Sequence, residues 1–411
     1  MVVVILLREE IRKELDIQFS IHSNWDTIIN EPVSPIFSDG VIYFFNEFSK
    51  KIQEHFEIRE YTDLATFAFF CRKSNLKKLE KEGGYNQNNQ IGRGITFHIA
   101  PSNVPLNFAY SLLMGMLAGN INIVRLPSKK FKQIDIFLDI LCSLKDKEHF
   151  NKILSKIILL RYERNKEITD FFSSICNNRV IWGGDNSINE IRKSSISAKS
   201  YDITFSDRYS ICVLDVNSIL ECPDLKKIAL DFYNDTYLFD QNACTSPHLL
   251  IWVGDEGKLL KAKNIFWNEI NNILKNKKYQ IEVSSVIDKL IFAQEQAIEG
   301  EINSFQKISN SLFITEINQL NENISKSHSN CGYFNNYYCG NLDELTILFN
   351  SSKYQTITYY GLDKEMIKSI IFSNGMRGVD RVVPVGMASD FNPVWDGYNI
   401  INSLSRIIKI I

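Results

Sequence analysis

The stretch ITFHIAPSNVPLNFAYSLLMGMLAGNINIVRLPSKK, residues 95–130, decides the fold class. Ile95–Ala100 reads as a short buried strand. Asn107–Ala118 is an apolar run of helix length, and Asn122–Leu126 is a second strand. Strand, helix and strand in close succession make a βαβ unit, which requires parallel pairing. The alternation continues outward. Phe131–Leu144 reads as a helix, Ile157–Tyr162 as a strand, Glu167–Cys176 as a helix, Arg179–Trp182 as a strand and Ser187–Ser194 as a helix. Asp202–Phe205 and Ile211–Asp215 are strands again. Short apolar runs alternating with helical periods predict a parallel sheet covered on both faces.

Toward the N-terminus the pattern is helical. Residues 9–16 and 41–57 read as helices, the second with Ile42, Phe45, Phe48, Ile52 and Phe56 on one face. Thr62-Asp63 opens another helix reaching about Glu80. Gly83-Gly84 and the Asn/Gln run 86–90 punctuate the chain before the strand at 95. Toward the C-terminus a second α/β stretch begins near Cys212. Its expected helices are Leu225–Phe232, Leu259–Leu274, Val286–Gln296, Leu345–Asn350 and Lys364–Asn374. Its expected strands are Pro247–Val253, Gln355–Tyr360 and Val379–Val385, with a last helix over roughly 397–410. Residues 317–330 are polar and read as a loop.

The 411 residues suit two or three domains with cores of their own. Lys+Arg 46 against Asp+Glu 48 gives a formal net charge of −2, which excludes a polybasic nucleic-acid binder and an acidic disordered chain. The eight cysteines are sparse and form no C-x-x-C pair, so a zinc ribbon is not expected and a reducing, cytoplasmic setting is. The six histidines form no metal-ligand spacing, and no metal is expected. Met1–Leu7 lacks a basic leader and a cleavage site and reads as a buried strand or helix lead-in rather than a signal peptide. Tyr110–Gly119 is too short to span a bilayer, so no membrane span is expected.

Five constellations can carry chemistry. Pro101-Ser102-Asn103-Val104-Pro105 follows a strand and precedes a helix, where two prolines fix the turn. The Asn103 amide there is either an oxyanion donor or a helix cap. Arg125, Ser128, Lys129 and Lys130 lie at the next strand end, suited to a phosphate or simply solvated. Gly183-Gly184 after Trp182 permits close approach of a ligand or makes a plain turn, and no G-x-G-x-x-G occurs. Asp240-Gln241-Asn242-Ala243-Cys244-Thr245-Ser246-Pro247 places Cys244 in a small, polar, turn-forming context, as a nucleophile needs, although a structural cysteine is the commoner case. Asp380-Arg381 reads as an ion pair beside a strand, and Trp395 either walls a pocket or packs. His98 and His248 are each an acid–base candidate or a satisfied structural residue.

Taken in order, the segments Phe97–Pro105, Gly119-Asn120 with Arg125–Ser128, Trp182–Asp185, Phe205–Ser210, Cys244–Pro247, Val379–Gly386 and Trp395–Tyr398 carry a resemblance. The chain resembles the LuxC family of acyl-CoA reductases, a branch of the aldehyde dehydrogenase superfamily, from about residue 40 onward. That resemblance implies an α/β, aldehyde dehydrogenase-like fold with a Rossmann-type cofactor domain and an α/β catalytic domain. The expected divisions are 1–210 for the NADPH-binding domain, 211–385 for the catalytic domain, and a tail 386–411 packing back.

By position, the resemblance makes Cys244 the residue that becomes acylated and Asn103 the oxyanion donor. Ser102, Arg125, Ser128, Lys129, Gly183 and Gly184 are implied to bind the cofactor, and Trp395 and Asp396 the substrate. Many NAD-preferring relatives carry a glutamate where Ser128 stands. A small neutral residue among Arg125, Lys129 and Lys130 favours the 2′-phosphate of NADPH. Thr204 stands near the position of the glutamate base of hydrolysing aldehyde dehydrogenases, so discharge by hydride or a thiol is expected rather than by water. The implied reaction is NADPH-dependent reduction of an acyl thioester to an aldehyde through an acyl-cysteine. The donor is acyl-CoA or an acyl-protein from an acyl-activating partner. A cysteine acyltransferase or thioesterase is the alternative. A homo-oligomer is compatible, although Gly83–Arg93 is short for the superfamily's oligomerising hairpin.

Overall fold

Seven strands of the N-terminal half follow from its Ile- and Val-rich runs. They are β1 (Asp16–Phe19), β2 (Gln90–Gly92), β3 (Ile95–Ile99), β4 (Ile121–Arg125), β5 (Ile157–Arg161), β6 (Asn178–Trp182) and β7 (Tyr201–Phe205). This is a computed structural model that describes residues 13–22, 24–102, 104–326 and 328–411. The expected reading of Met1–Leu7 and most of the expected helix 9–16 lie outside the described residues. The chain divides into two compact units, residues 1–206 with 398–411, and residues 207–397.

In the first unit six strands form one sheet in the order β1-β5-β4-β3-β6-β7. β1 runs antiparallel to β5 and the other pairs are parallel. From β3 the chain winds outward through β4 to β5, then returns to lay β6 on the other side of β3. That reversal is the switch point at which doubly wound sheets open a crevice at the carboxyl ends of their strands. The helix Asn107–Leu117, which links β3 to β4, is buried nearly all round, which explains its almost purely apolar sequence. Asn165 caps the helix Lys166–Ile175, accepting from the amides of Glu167 and Ile168, so that element starts where its free N–H groups find a partner.

The C-terminal segment departs from expectation. Instead of one helix over 397–410, a short helix Ile400–Leu404 passes into a strand, Ser405–Ile407, that pairs antiparallel with β2. The buried Gln90 side chain donates to Asn402 Oδ1 at 2.9 Å and Ser405 Oγ at 2.7 Å. Ladder pairing with β2 outcompetes continuation of the helix.

The second unit holds β8 (Tyr209–Asp215), β9 (Pro247–Val253), β10 (Ile302–Ser309), β11 (Leu312–Ile317), β12 (Tyr333–Cys339), β13 (Tyr354–Tyr360) and β14 (Arg381–Pro384). Their order is β10-β11-β12-β9-β8-β13-β14, with only β10 and β11 antiparallel. Successive residues of β8 and β9 feed two cores. Cys212, Leu214, Leu250 and Trp252 pack with Phe232, Phe266 and Phe334 on one face. Ile211, Val213, Leu249 and Ile251 pack with Leu348, Phe349 and Ile367 on the other. Each fully buried large side chain contributes about 1.5–3 kcal/mol of transfer free energy. The β10–β11 hairpin was not expected. β10 is an edge strand with mostly exposed residues, so the apolar alternation that betrays a half-buried strand is weak there.

Candidate active site

Cys244 sits immediately before β9, at the amino ends of the parallel strands, opposite to the usual ligand side of an α/β sheet. The loop that presents it is strained. Asp240 and Gln241 both have left-handed backbone, with φ of 51° and 62°, which costs non-glycine residues about 1–2 kcal/mol each. The Gln241 side chain offsets this. It is buried, donates to the carbonyls of Pro247 and Tyr333 at 3.0 Å, and accepts from the amides of Gly332 at 2.8 Å and Tyr333 at 3.1 Å. Gly332 has φ 86°, and a Cβ there would lie 2.0 Å from the Ser311 carbonyl oxygen, so only glycine fits. The Ser210 hydroxyl donates to the Cys244 carbonyl at 2.7 Å and accepts from the Thr356 amide at 3.2 Å. The nucleophile candidate is thus tied to β8, β12 and β13.

Polar groups from those same strand starts bias the ionisation of the thiol. Gln355, the second residue of β13, favours the thiolate form of Cys244. Its Nε2 donates to Asp396 Oδ1 at 2.6 Å. Arg208, just before β8, pairs with Asp396 at 3.0 Å and with Asp380 at 2.6 Å. It also donates to the carbonyls of Lys353 and Tyr354. Two further left-handed residues aim these carboxylates, Val379 (φ 68°) and Asp396 (φ 53°). The β-branched Val379 is an outlier in that region. It is held by its amide's bond to the Tyr354 carbonyl, and Asp380 by the Gln355 carbonyl.

Although Cys244 keeps part of its surface open, it is densely surrounded, and burial pushes its thiol up to about 12. The Asp396 carboxylate acts in the same direction, as does Asp207, while Gln355 and Arg208 favour the thiolate. Asp396 is itself raised, by burial first, against the opposing pull of Arg208 and Gln355.

Asp380 and Arg381 do not pair with each other. The Arg381 guanidinium stacks 4.7 Å over the Trp395 ring and donates to the carbonyls of Met387 at 2.9 Å and Asp390 at 2.6 Å. Trp395 is buried and also packs against Phe391. The buried Asp235 accepts from the amides of Gly386 at 2.7 Å and Ala388 at 2.9 Å, and burial raises it to about 7. His248 is buried beside His328, ring centroids 4.3 Å apart, and burial holds it well below the ordinary histidine value.

In the first unit, Ser102 is exposed beyond β3, and Asn103 lies outside the described residues. Arg125 ends β4 with its guanidinium 4.3 Å over the Tyr162 ring and bonded to the Tyr162 carbonyl at 3.2 Å. Ser128, Lys129 and Lys130 are exposed on the loop that follows. Gly183 and Gly184 follow β6. Gly184 has no atom within 4 Å of where a Cβ would stand, and Gly183 only the Ser187 Cβ at 3.5 Å. Both glycines stand at the carboxyl end of β6, on the side of β3 away from β4, at the switch point of the sheet. Thr204 is half-buried on β7, and the carboxylate of that strand, Asp202, is held by Arg179 at 2.7 Å.

Beneath these turns lies a closed polar chain. Trp182 Nε1 donates to Ser111 Oγ at 3.2 Å, Ser111 Oγ lies 2.7 Å from His98 Nδ1, and His98 Nε2 lies 2.9 Å from Asn122 Oδ1. The Asn122 amide then donates to the Asn120 carbonyl at 2.9 Å. The donors resolve only one way: Ser111 gives its hydroxyl proton to Nδ1, and Nε2–H goes to Asn122. His98 is neutral and satisfied, and burial lowers it to about 4. Among the described residues no group of three or more His, Cys, Asp or Glu could hold a metal ion, and no helix is long and apolar enough to cross a membrane.

The sequence reading missed Gln355, Gln241 and Asp235 and gave Arg208 no separate role. Nothing local marks them. Their meaning arises only when four strands start at one edge of the sheet.

Comparison with known proteins gives a consistent picture. A family model described as acyl-CoA reductase (LuxC) matches residues 72–407. A long-chain acyl-protein thioester reductase of Vibrio harveyi is 23% identical over 326 residues, covering 78% of this chain and 64% of its own length. One from Photorhabdus luminescens is 22% identical over 332 residues, covering 78% and 63%. The chain thus spans just under two thirds of these relatives. Among solved structures, a glyceraldehyde-3-phosphate dehydrogenase of Methanocaldococcus jannaschii complexed with NADP superposes with TM-score 0.61 at 14% identity, covering 93% of this chain and 90% of that one. Aldehyde dehydrogenase 21 of Physcomitrella patens gives 0.60 at 11%, covering 93% and 83%. The fold is that of the aldehyde dehydrogenases.

Proposed function

Because the chain belongs to the LuxC family of acyl-CoA reductases, we propose that it reduces a long-chain acyl thioester to the aldehyde, with Cys244 as the acyl acceptor and NADPH as the reductant. The observation that carries this reading is the Cys244 loop. A strained backbone clamped by a buried glutamine presents a half-open thiol among groups that stabilise or oppose its ionisation. Cys331 also has left-handed backbone, a partly open surface and charged neighbours, and it is the positional resemblance to the family that selects Cys244 between them.

In the first half-reaction the Cys244 sulfur bonds to the acyl carbon, and the donor's sulfur leaves with the proton that Cys244 gave up. Asn103 and the Cys244 amide are the proposed oxyanion donors. In the second, the cofactor supplies a hydride. The carbonyl then re-forms as the aldehyde, and the Cys244 sulfur departs as thiolate and takes a proton from the medium. Thr204 leaves no carboxylate at its position to activate water, which supports discharge by reduction.

Gly183 and Gly184 would admit the cofactor, and Ser102, Arg125, Ser128 and Lys129 would meet its adenosine end. Arg125 is already stacked on Tyr162 and Lys129 lies 5.2 Å over the Phe131 ring, so the exposed Lys130 is the cation with most freedom to meet a 2′-phosphate. The proposed division of labour gives the cofactor to the unit built on residues 1–206 and the thiol chemistry to that of 207–397. Trp395 supports the substrate side by packing. Asp396 acts next to the sulfur and gives less support to a substrate contact.

The test is acyl labelling read by mass spectrometry, with acyl-CoA and an acyl-protein as alternative donors and NADPH oxidation followed in parallel. Label on the peptide holding Cys244, discharged to aldehyde by NADPH, is expected, with loss of label in Cys244→Ala. Label discharged only by added thiol points to the acyltransferase alternative. Label persisting in Cys244→Ala defeats the assignment.

A further inference from the structure

We propose that Lys289 is the positioning residue that fixes the loop presenting Cys244, acting through the carbonyls of Asn310 and Cys331. The inference rests on reading Cys244 as the nucleophile. Lys289 stands on the helix Val283–Ile298 and is 1% exposed. Its partners are neutral. The ammonium donates to the Asn310 carbonyl at 2.7 Å and the Cys331 carbonyl at 2.6 Å, and lies 4.5 Å over the Phe313 ring. That ring carries a second cation, Lys307, at 5.5 Å. A buried cation among neutral groups is costly, and burial lowers this one to about 8. A methionine would fill much the same space without that cost. What methionine cannot do is donate to two carbonyls at once.

Those carbonyls belong to two segments that grip the Cys244 loop at different points. Asn310 precedes Ser311 in the β10–β11 turn, and the Ser311 carbonyl accepts from the Tyr237 hydroxyl at 3.1 Å, ahead of the loop. Cys331 sends its own amide to the Asp240 carbonyl at 3.0 Å, and the next amide, that of Gly332, goes to Gln241 Oε1 at 2.8 Å. The Asn330 amide adds a bond to Asn242 Oδ1 at 2.9 Å. Tyr237, Ser311, Asn310, Lys289, Cys331 and Asp240 thus close a ring, with the ammonium tying its two arms. The loop needs such a grip. Asp240, Gln241 and Cys331 are all left-handed, with φ of 51°, 62° and 58°, and strain of this kind persists only where the surroundings over-determine it. Without the ammonium the arms part, the loop relaxes toward ordinary backbone and the Cys244 sulfur gains solvent. Solvent favours the thiolate, which burial now opposes. Lys289 therefore keeps the sulfur aimed at the expense of its free reactivity.

The experiment uses the whole purified protein at neutral pH and has two readouts. Iodoacetamide alkylation of the Cys244 peptide is followed by mass spectrometry, with the exposed Cys142 as internal reference. Hydrogen exchange is followed at the amides of Cys331, Gly332 and Tyr333, with Leu250 and Trp252 of β9 as reference. Neither needs an acyl donor or a cofactor, so failure here is distinct from failure of the proposed reaction. Lys289→Met should speed both the alkylation of Cys244 and the exchange at 331–333 by about tenfold, the worth of a hydrogen bond to a charged group. Cys142 and the β9 amides should keep their native rates. A role in stability alone would leave Cys244 alkylation at the native rate or raise exchange equally in β9, and either result overturns the proposal. Should Lys289→Met fail to fold, Tyr237→Phe decides. It opens the same ring at Ser311 and must speed Cys244 alkylation; an unchanged rate refutes the idea.

Discussion

Each unit buries a polar network against its sheet, and the two are finished differently. The chain Trp182–Ser111–His98–Asn122–Asn120 gives every donor an acceptor. The cluster Arg208–Asp396–Gln355 ends at Gln355 Oε1, which has no hydrogen-bond partner among the described residues. A fully satisfied network specifies one conformation and nothing more. One left with an open acceptor carries a cost of about 1–3 kcal/mol. In the first unit the network therefore reads as scaffold for the turns above it, and in the second it is left incomplete.

That contrast can be broken most sharply at Arg208. Arg208→Leu would leave the buried Asp396 without its cation, which should cost about 3–5 kcal/mol and lower the denaturant midpoint by a large fraction of the total. A loss under 1 kcal/mol would show the pair to be solvent-screened. Acid provides the next test. His98 has a folded value of about 4 against an ordinary one near 6.5. The unfolded chain therefore binds its proton first, and stability is lost as pH falls from about 6.5 toward 4. The loss is about 3 kcal/mol on completion, and His98→Gln should flatten that limb in urea titrations at stepped pH.

Ser111→Ala should cost about 1–3 kcal/mol by stranding His98 Nδ1 and Trp182 Nε1. The same variant should alkylate at Cys244 at the native rate. A changed rate would mean that the first network is not mere scaffold. The smallest effect is expected at the exposed basic loop. Ser128→Glu should repel a 2′-phosphate and shift kcat/KM from NADPH toward NADH by about tenfold, measured with both cofactors at constant acyl donor.

Much of the architecture could be read from the chain because its strands are buried and its helices long. The run from Ile95 to Arg125 announces a βαβ unit by apolar length alone. Phe305 and Lys307 alternate on an exposed edge, and the hairpin they belong to left no such trace. Cys244 stood out because turn-forming residues surround it. Gln355 did not, since a glutamine near the start of a strand is ordinary until the fold pairs it with a carboxylate forty-one residues later. Asp380-Arg381 was misread for a related reason. Sequence neighbours on a strand face opposite sides, so Asp380 turned to Arg208 while Arg381 found Trp395.

The strand Ser405–Ile407 completes the unit that starts the chain, and Asn120 Nδ2 donates to the Leu404 carbonyl at 2.8 Å. On a translating ribosome, β2 and Asn120 therefore emerge long before the segment that covers them. They must wait, wetted or chaperoned, while the whole of residues 207–397 is made. The first unit therefore cannot close until residues 398–407 have been made.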